Sequence, residues 1–187
     1  MCWKLCGRSA GARPPERVED LASPLILTAE LPPALQARMD ALRRAHFPPE
    51  RNHLSAHVTL FHALPPSALG ELREVLARIA AGPAPAGQVE GVMSLGRGTA
   101  IRLASPALLA LRDDLADRFH TLLTAQDRHR PRLHVTVQNK VTADAARALQ
   151  AQLSSQIGPE PFRFAALALH AYERGPWRHL RSFSFRG

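Results

Sequence analysis

Cysteine is nearly absent. Only Cys2 and Cys6 occur in 187 residues, so no disulfide framework is available and the fold must rest on an apolar core. Acidic side chains are also in short supply, with 16 Asp and Glu against 24 Lys and Arg, a net charge of +8 and a pI near 11.1. Such a deficit of negative charge favours an anionic partner: nucleic acid, nucleotide or acidic lipid. Long apolar runs are missing too. Stretches such as Ala165 to Leu169 fall far short of the roughly 18 residues that a membrane span needs.

Residues 1–22 carry Lys4, Arg8, Arg13 and Arg17 and contain no apolar segment long enough for a secretory signal. Cys2 and Cys6 have no second pair nearby to complete a metal site. This stretch reads as a basic, disordered tail, and a reducing cytoplasm is the simplest location. No membrane partner is expected.

What is present is a globular composition: 45% hydrophobic and 21% charged residues, with a mean hydropathy of -0.15. From Pro24 onward the pattern is orderly. Leu25 to Ala29 is a short buried strand, and Pro32-Pro33 opens an amphipathic helix to about Ala45. Ala56 to His62 has the alternation of a strand, and Pro65-Pro66-Ser67 starts a second helix to about Ala80. Gly82 to Gly87 is predicted as a linker, followed by a strand from Val89 to Leu95.

The same order then recurs. It consists of a strand at Thr99 to Leu103, a proline-opened helix from Pro106 to about Thr124, and a basic loop with Arg128, Arg130 and Arg132. A strand from Leu133 to Val137 and a helix from Ala143 to Ile157 follow. Strands are predicted at Phe162 to Tyr172 and at about Arg181 to Phe185. Laying His57 on His134, 77 residues apart, superimposes one half on the other. The chain is therefore read as an internal duplication: residues 23–187 form one bilobal α+β domain with repeat halves at about 24–96 and 99–187. Two pseudo-twofold-related lobes would line a central cleft with their sheets and carry helices outside.

The repeat carries its chemistry in two matching segments, His57-Val58-Thr59-Leu60 and His134-Val135-Thr136-Val137. Roughly 0.3 His-x-Thr pairs are expected by chance in this composition; two occur, at equivalent places. In a strand, alternate side chains share a face, so His57 points with Thr59 and His134 with Thr136. If a twofold brings these faces together, two imidazoles and two hydroxyls surround a phosphate-sized volume. A phosphodiester displaced in line needs a proton acceptor on one side and a donor on the other. Histidine serves either role near neutrality, and the threonine hydroxyls can hold nonbridging oxygens. The scheme requires no metal and no cofactor.

These paired motifs, in halves of matching element order, resemble the two-histidine (2H) phosphoesterase superfamily, and specifically its bacterial 2'-5' RNA ligase-like branch. The resemblance covers roughly Pro24 to Phe185. It implies a bilobal α+β fold and metal-independent opening of 2',3'-cyclic phosphate ends of RNA to a 2'-phosphate. In some members it also implies reversible joining of 2'-5' linkages. Carried over by motif, His57 and His134 are the acid and base, and Thr59 and Thr136 hold the phosphate.

Other residues are weaker candidates. The alternation puts Phe61 on the His57 face, where it could stack on a base although a core role is the commoner fate of an aromatic. Gln138 and Lys140 fall on the His134 face, within reach of phosphate or ribose. Tyr172 shares parity with His170 and could line the cleft. Arg51 and Arg132 precede the two motifs and could form a phosphate track. His53, His57 and His62 lack the acidic partners and spacing of a metal site, and none is assigned.

The expected partner is RNA with a 2',3'-cyclic phosphate end or a cyclic nucleotide, acted on by a monomer. Two other readings remain open. One is a hydrolase of small cyclic nucleotides or cyclic oligonucleotides using the same site. The other is a noncatalytic RNA-binding module, against which the paired histidines argue, since binding alone is better served by Arg or Lys.

Overall fold

Strand β1 (Leu25–Glu30) is buried on both faces for all but its last residue, as expected of a nearly unbroken aliphatic run. Helix α1 (Pro33–His46) follows, with Pro33 in its first turn, where a missing N–H costs nothing. The chain continues through β2 (Val58–Leu64), α2 (Leu69–Ala80), β3 (Ala86–Ser94), β4 (Gly98–Ala104) and α3 (Pro106–Arg118). It ends with β5 (His134–Asn139), α4 (Ala143–Ser154), β6 (Glu160–Arg163), β7 (Ala166–Tyr172) and β8 (Trp177–Ser184). The computed structural model describes residues 23–173, 175 and 177–187; the expected tail at residues 1–22 lies outside them. Among the described residues no helix is long and apolar enough to cross a membrane.

The helices start and bury as their sequences dictate. Ser105 caps α3 by accepting the Leu108 N–H at 3.1 Å, and Thr142 caps α4 by accepting that of Ala145 at 3.2 Å. Helix α2 buries Leu69, Leu72, Val75, Leu76 and Ala80, the spacing of one amphipathic face. Each fully buried leucine of this kind contributes about 1.5 to 3 kcal/mol.

The strands form two four-stranded sheets in the orders β2-β1-β7-β8 and β5-β4-β3-β6. These orders are one plan used twice. β1 corresponds to β4, β2 to β5, and one later strand of each repeat crosses to the other repeat's sheet: β3, the third strand of the first repeat, pairs with β4, and β7, the fourth of the second, pairs with β1. All pairings are antiparallel, and one apolar cluster, with Leu27, Leu60, Ile101 and Val135 among its members, runs through both lobes. The exchange ties each lobe to both halves of the sequence.

Three element expectations are corrected. The segment predicted as one strand from Phe162 to Tyr172 is two, β6 and β7, in different sheets; Phe164, packed in the core, marks the crossing. Ala86 and Gly87, predicted as linker, already pair with Arg163 and Phe162. The last strand begins at Trp177 rather than near Arg181.

Candidate active site

His57 immediately precedes β2, and His134 is the first residue of β5. Both are half-buried, as are Thr59 and Thr136, while Val58, Leu60, Val135 and Val137 face the core. The alternation thus holds across both motifs. All four motif residues line one cavity of about 450 Å³, together with Arg130 and Arg132 from the loop before β5.

The two rings are held in the same way. His57 Nδ1 lies 2.7 Å from the Ser55 carbonyl, and His134 Nδ1 lies 2.7 Å from the Arg132 carbonyl. A carbonyl only accepts, so each Nδ1 carries the proton and each Nε2 is left available for proton transfer. In the neutral ring that nitrogen is a lone-pair base; in the charged ring it is a donor. Burial pushes the His57 pKa down to about 4; the Ser55 carbonyl opposes this, and the charges of Arg43, His170 and His134 add to it. His57 is therefore neutral at pH 7 in the free protein.

Buried arginines fix the backbone around both motifs. Arg43 of α1 donates to the carbonyls of Leu54 (3.2 Å) and Thr136 (2.7 Å) and to Asn52 Oδ1 (2.9 Å). It thereby ties the first motif's loop to the second motif's strand. Burial lowers its pKa, and Asp40 opposes that shift. Arg112 of α3 donates to the carbonyls of Asp127 and His129, with its guanidinium 4.6 Å from the Phe61 ring centre. Asp127 closes the link from the other side, accepting the backbone N–H groups of His62 and Ala63 at 2.9 Å each. Burial raises the Asp127 pKa, but the hydrogen bonds from the His62 side chain and these two N–H groups outweigh it and hold the carboxylate below its usual range.

Two candidates are displaced by one device. Register shifts interrupt β1/β2 between Leu27 and Thr28, and β4/β5 between Thr99 and Ala100. Each marks a bulge that reverses the alternation beyond the threonine. Phe61 is consequently buried beneath Arg112 rather than in the cleft, and Gln138 is buried, accepting the Thr99 hydroxyl at 3.2 Å. Gly98 sits opposite the second bulge, where a Cβ would collide with the Gln138 carbonyl.

Lys140 is exposed just past β5, in the left-handed region at φ 58°. Tyr172 and Arg51 are also exposed, and none of the three lines the cavity.

Sequence reasoning missed Trp177 at the cleft, as it did Arg43, Arg112 and Asp127 behind it. The Trp177 ring centre lies 4.6 Å from that of His57 and 5.7 Å from that of His170. Its signal was its nearness in sequence to Tyr172, with which it pairs between β7 and β8. Among the described residues no cluster of three or more His, Cys, Asp or Glu is placed to hold a metal ion.

The sequence profile of the 2'-5' RNA ligase superfamily matches residues 31–176. No curated protein matches the sequence significantly. Among solved structures, TT0787 of Thermus thermophilus is similar with a TM-score of 0.58 at 18% identity, covering 88% of this chain and 98% of that one. A phosphoesterase is similar with 0.57 at 19%, covering 89% and 99%. E. coli LigT complexed with 3'-AMP gives 0.56 at 16%, covering 88% and 99%. At these identities the likeness is one of fold.

Proposed function

We propose that this chain, which belongs to the 2'-5' RNA ligase superfamily, is a metal-independent phosphodiesterase that opens 2',3'-cyclic phosphate ends of RNA to a 2'-phosphate, with reversible joining of 2'-5' linkages as its companion reaction. One observation carries this reading. Two histidines, each pinned through Nδ1 to the carbonyl two residues earlier, line one cavity together with two threonines. A fold relative that binds 3'-AMP supports a nucleotide as the ligand.

The reaction runs in line. Water attacks phosphorus while His57, neutral because burial depresses its pKa, takes the water's proton on Nε2. The bond from phosphorus to O3' breaks, and His134 gives its Nε2 proton to O3'. A 2'-phosphate and a free 3'-hydroxyl result, and the histidines return to their starting states by proton exchange with solvent. Thr59 and Thr136 donate to the nonbridging oxygens as charge builds there. Arg130 and Arg132 supply the positive field that holds the monoanion.

The test is a short RNA ending in a 2',3'-cyclic phosphate, incubated with the protein in excess chelator, with 2'- and 3'-phosphate products resolved. A single 2'-phosphate product is expected, with turnover reduced about 10² to 10⁴-fold in both His57→Ala and His134→Ala. A loss below tenfold in both variants contradicts the mechanism. Turnover of cyclic mononucleotides with none of the RNA would move the substrate to the small cyclic nucleotides. Salt-sensitive RNA binding with no turnover of either would leave a binding module.

A further inference from the structure

The His57 and Trp177 rings form a wall with a cavity on each side, since both residues line the catalytic cleft and a second chamber of about 460 Å³. The two spaces are opposite in charge. The catalytic side holds Arg130 and Arg132 against the single carboxylate of Asp127; the second chamber holds Glu30 and Asp40 beside His53, His170 and His179 and, among the described residues, is lined by no Lys or Arg. In a protein of net charge +8 this is a local reversal, and it disfavours a second phosphate. A neutral, flat ligand with N–H donors suits it, lying on the indole of Trp177 and donating to a carboxylate. The volume is in the range of small-ligand sites.

We propose that this chamber is a nucleobase subsite for the nucleoside that presents its 5'-oxygen on the His57 side of the phosphate, selective for bases that carry an amino group. The inference rests on the assignment of His57 as base under the proposed function. In-line geometry puts the cyclic ring and its O3' on the His134 side, so whatever supplies the attacking oxygen stands beside His57. When a nucleoside 5'-hydroxyl takes the place of water, its proton passes to His57 Nε2 and its oxygen bonds to phosphorus. The P–O3' bond breaks, and O3' takes the His134 proton. The product is a 2'-5' linkage with a free 3'-hydroxyl, and no further reactant is consumed.

The selectivity follows from the walls. Glu30 is fixed by the Ser182 hydroxyl, which donates to Oε1 at 2.6 Å, and a carboxylate only accepts. Adenine, cytosine and guanine offer an exocyclic amine; uracil offers one N–H between two carbonyls, which a carboxylate repels. Trp177 supplies the stacking face, and base stacking on an aromatic ring is worth about 10-fold to 100-fold in binding.

The experiment measures the ratio of 2'-5' dinucleotide to 2'-phosphate when a nucleoside 2',3'-cyclic phosphate is incubated with guanosine, adenosine, cytidine, uridine or base-free methyl riboside. Because the readout is a ratio of products, it does not depend on overall turnover. The ratio should be highest for the amino-bearing nucleosides and lowest for the base-free sugar. It should fall about 10-fold to 100-fold in Trp177→Ala, recover largely in Trp177→Phe, and lose its preference over uridine in Glu30→Gln. Equal ratios for all five acceptors, or an unmoved ratio in Trp177→Ala, would overturn the subsite. If no cyclic phosphate is consumed at all, the proposed hydrolysis fails, and calorimetric titration of the same nucleosides still decides the chamber. Binding with the amino preference, weakened in Trp177→Ala, supports it; absence of binding overturns it.

Discussion

His57 and His134 sit on the same backbone frame, each ring hydrogen-bonded through Nδ1 at 2.7 Å to the carbonyl two residues before it, yet the walls around them differ. Behind Thr59 stands Thr28, whose hydroxyl lies 3.1 Å from His170 Nε2. The corresponding partner of Thr136 is Ala100, which faces Met93 across the sheet. Trp177 packs on the first imidazole. Under the proposed function, duplication supplies what in-line displacement needs, one imidazole for each end of the phosphate. Divergence of the lining gives the proposed reaction its direction, with His57 as base, since burial lowers its pKa to about 4.

Thr59 and Thr136 play equal parts in the proposed reaction, and substitution can separate them. Thr59→Val and Thr136→Val should each lower kcat about 10² to 10³-fold, the usual loss when one donor to a developing oxyanion is removed. A large loss in one and none in the other, measured on a cyclic phosphate substrate, would show that the phosphate is held from one side only.

The buried arginines offer a second break, in stability. Arg43→Ala strips a donor from the Thr136 and Leu54 carbonyls, and Arg112→Ala strips one from the Asp127 and His129 carbonyls. Each should cost about 2 to 4 kcal/mol in urea unfolding, because buried acceptors are left unpaired. A cost below about 0.5 kcal/mol for either would mean that its loop holds its shape without it.

The third break is acid. His57 binds a proton near pH 4 when folded and near 6.5 when unfolded, so between these values the unfolded chain takes up a proton that the folded chain refuses. Stability from this group is intact above about pH 6.5, falls as pH drops, and is fully lost below about pH 4, by on the order of 3 kcal/mol. His57→Gln removes that component, so the difference in unfolding free energy between parent and variant should shift in the variant's favour from about pH 7.5 to about pH 4.5. A difference constant across that range would show that His57 is not depressed.

The motifs were legible because they obey the simplest rule of a strand, alternation, and because duplication doubled the signal. Alternation alone placed His57 with Thr59 and His134 with Thr136, and all four line one cavity. The same rule misplaced Phe61 and Gln138, two equivalent residues, because each follows a bulge, and a bulge is a matter of pairing between strands rather than of composition along one. The division of residues 162–172 between two sheets was hidden for a related reason: Phe162 and Phe164 are as apolar as the strands they flank, and only tertiary packing makes the chain cross there. Trp177 escaped because its partners, His57 and His170, are distant in sequence. Arg43 and Arg112 read as the polar face of a helix until the structure shows the carbonyls they reach.

If one phosphodiester is worked from both ends, with His57 as base and His134 as acid, the two histidines must respond differently to a change of leaving group. A 4-nitrophenyl phosphodiester releases an oxyanion that needs no proton, so His134→Ala should keep at least about a tenth of parental activity on it while losing about 10² to 10⁴-fold on the unactivated RNA substrate. His57→Ala should lose both. The reverse pattern would exchange the two roles, and equal losses on both substrates in both variants would contradict the division of labour altogether.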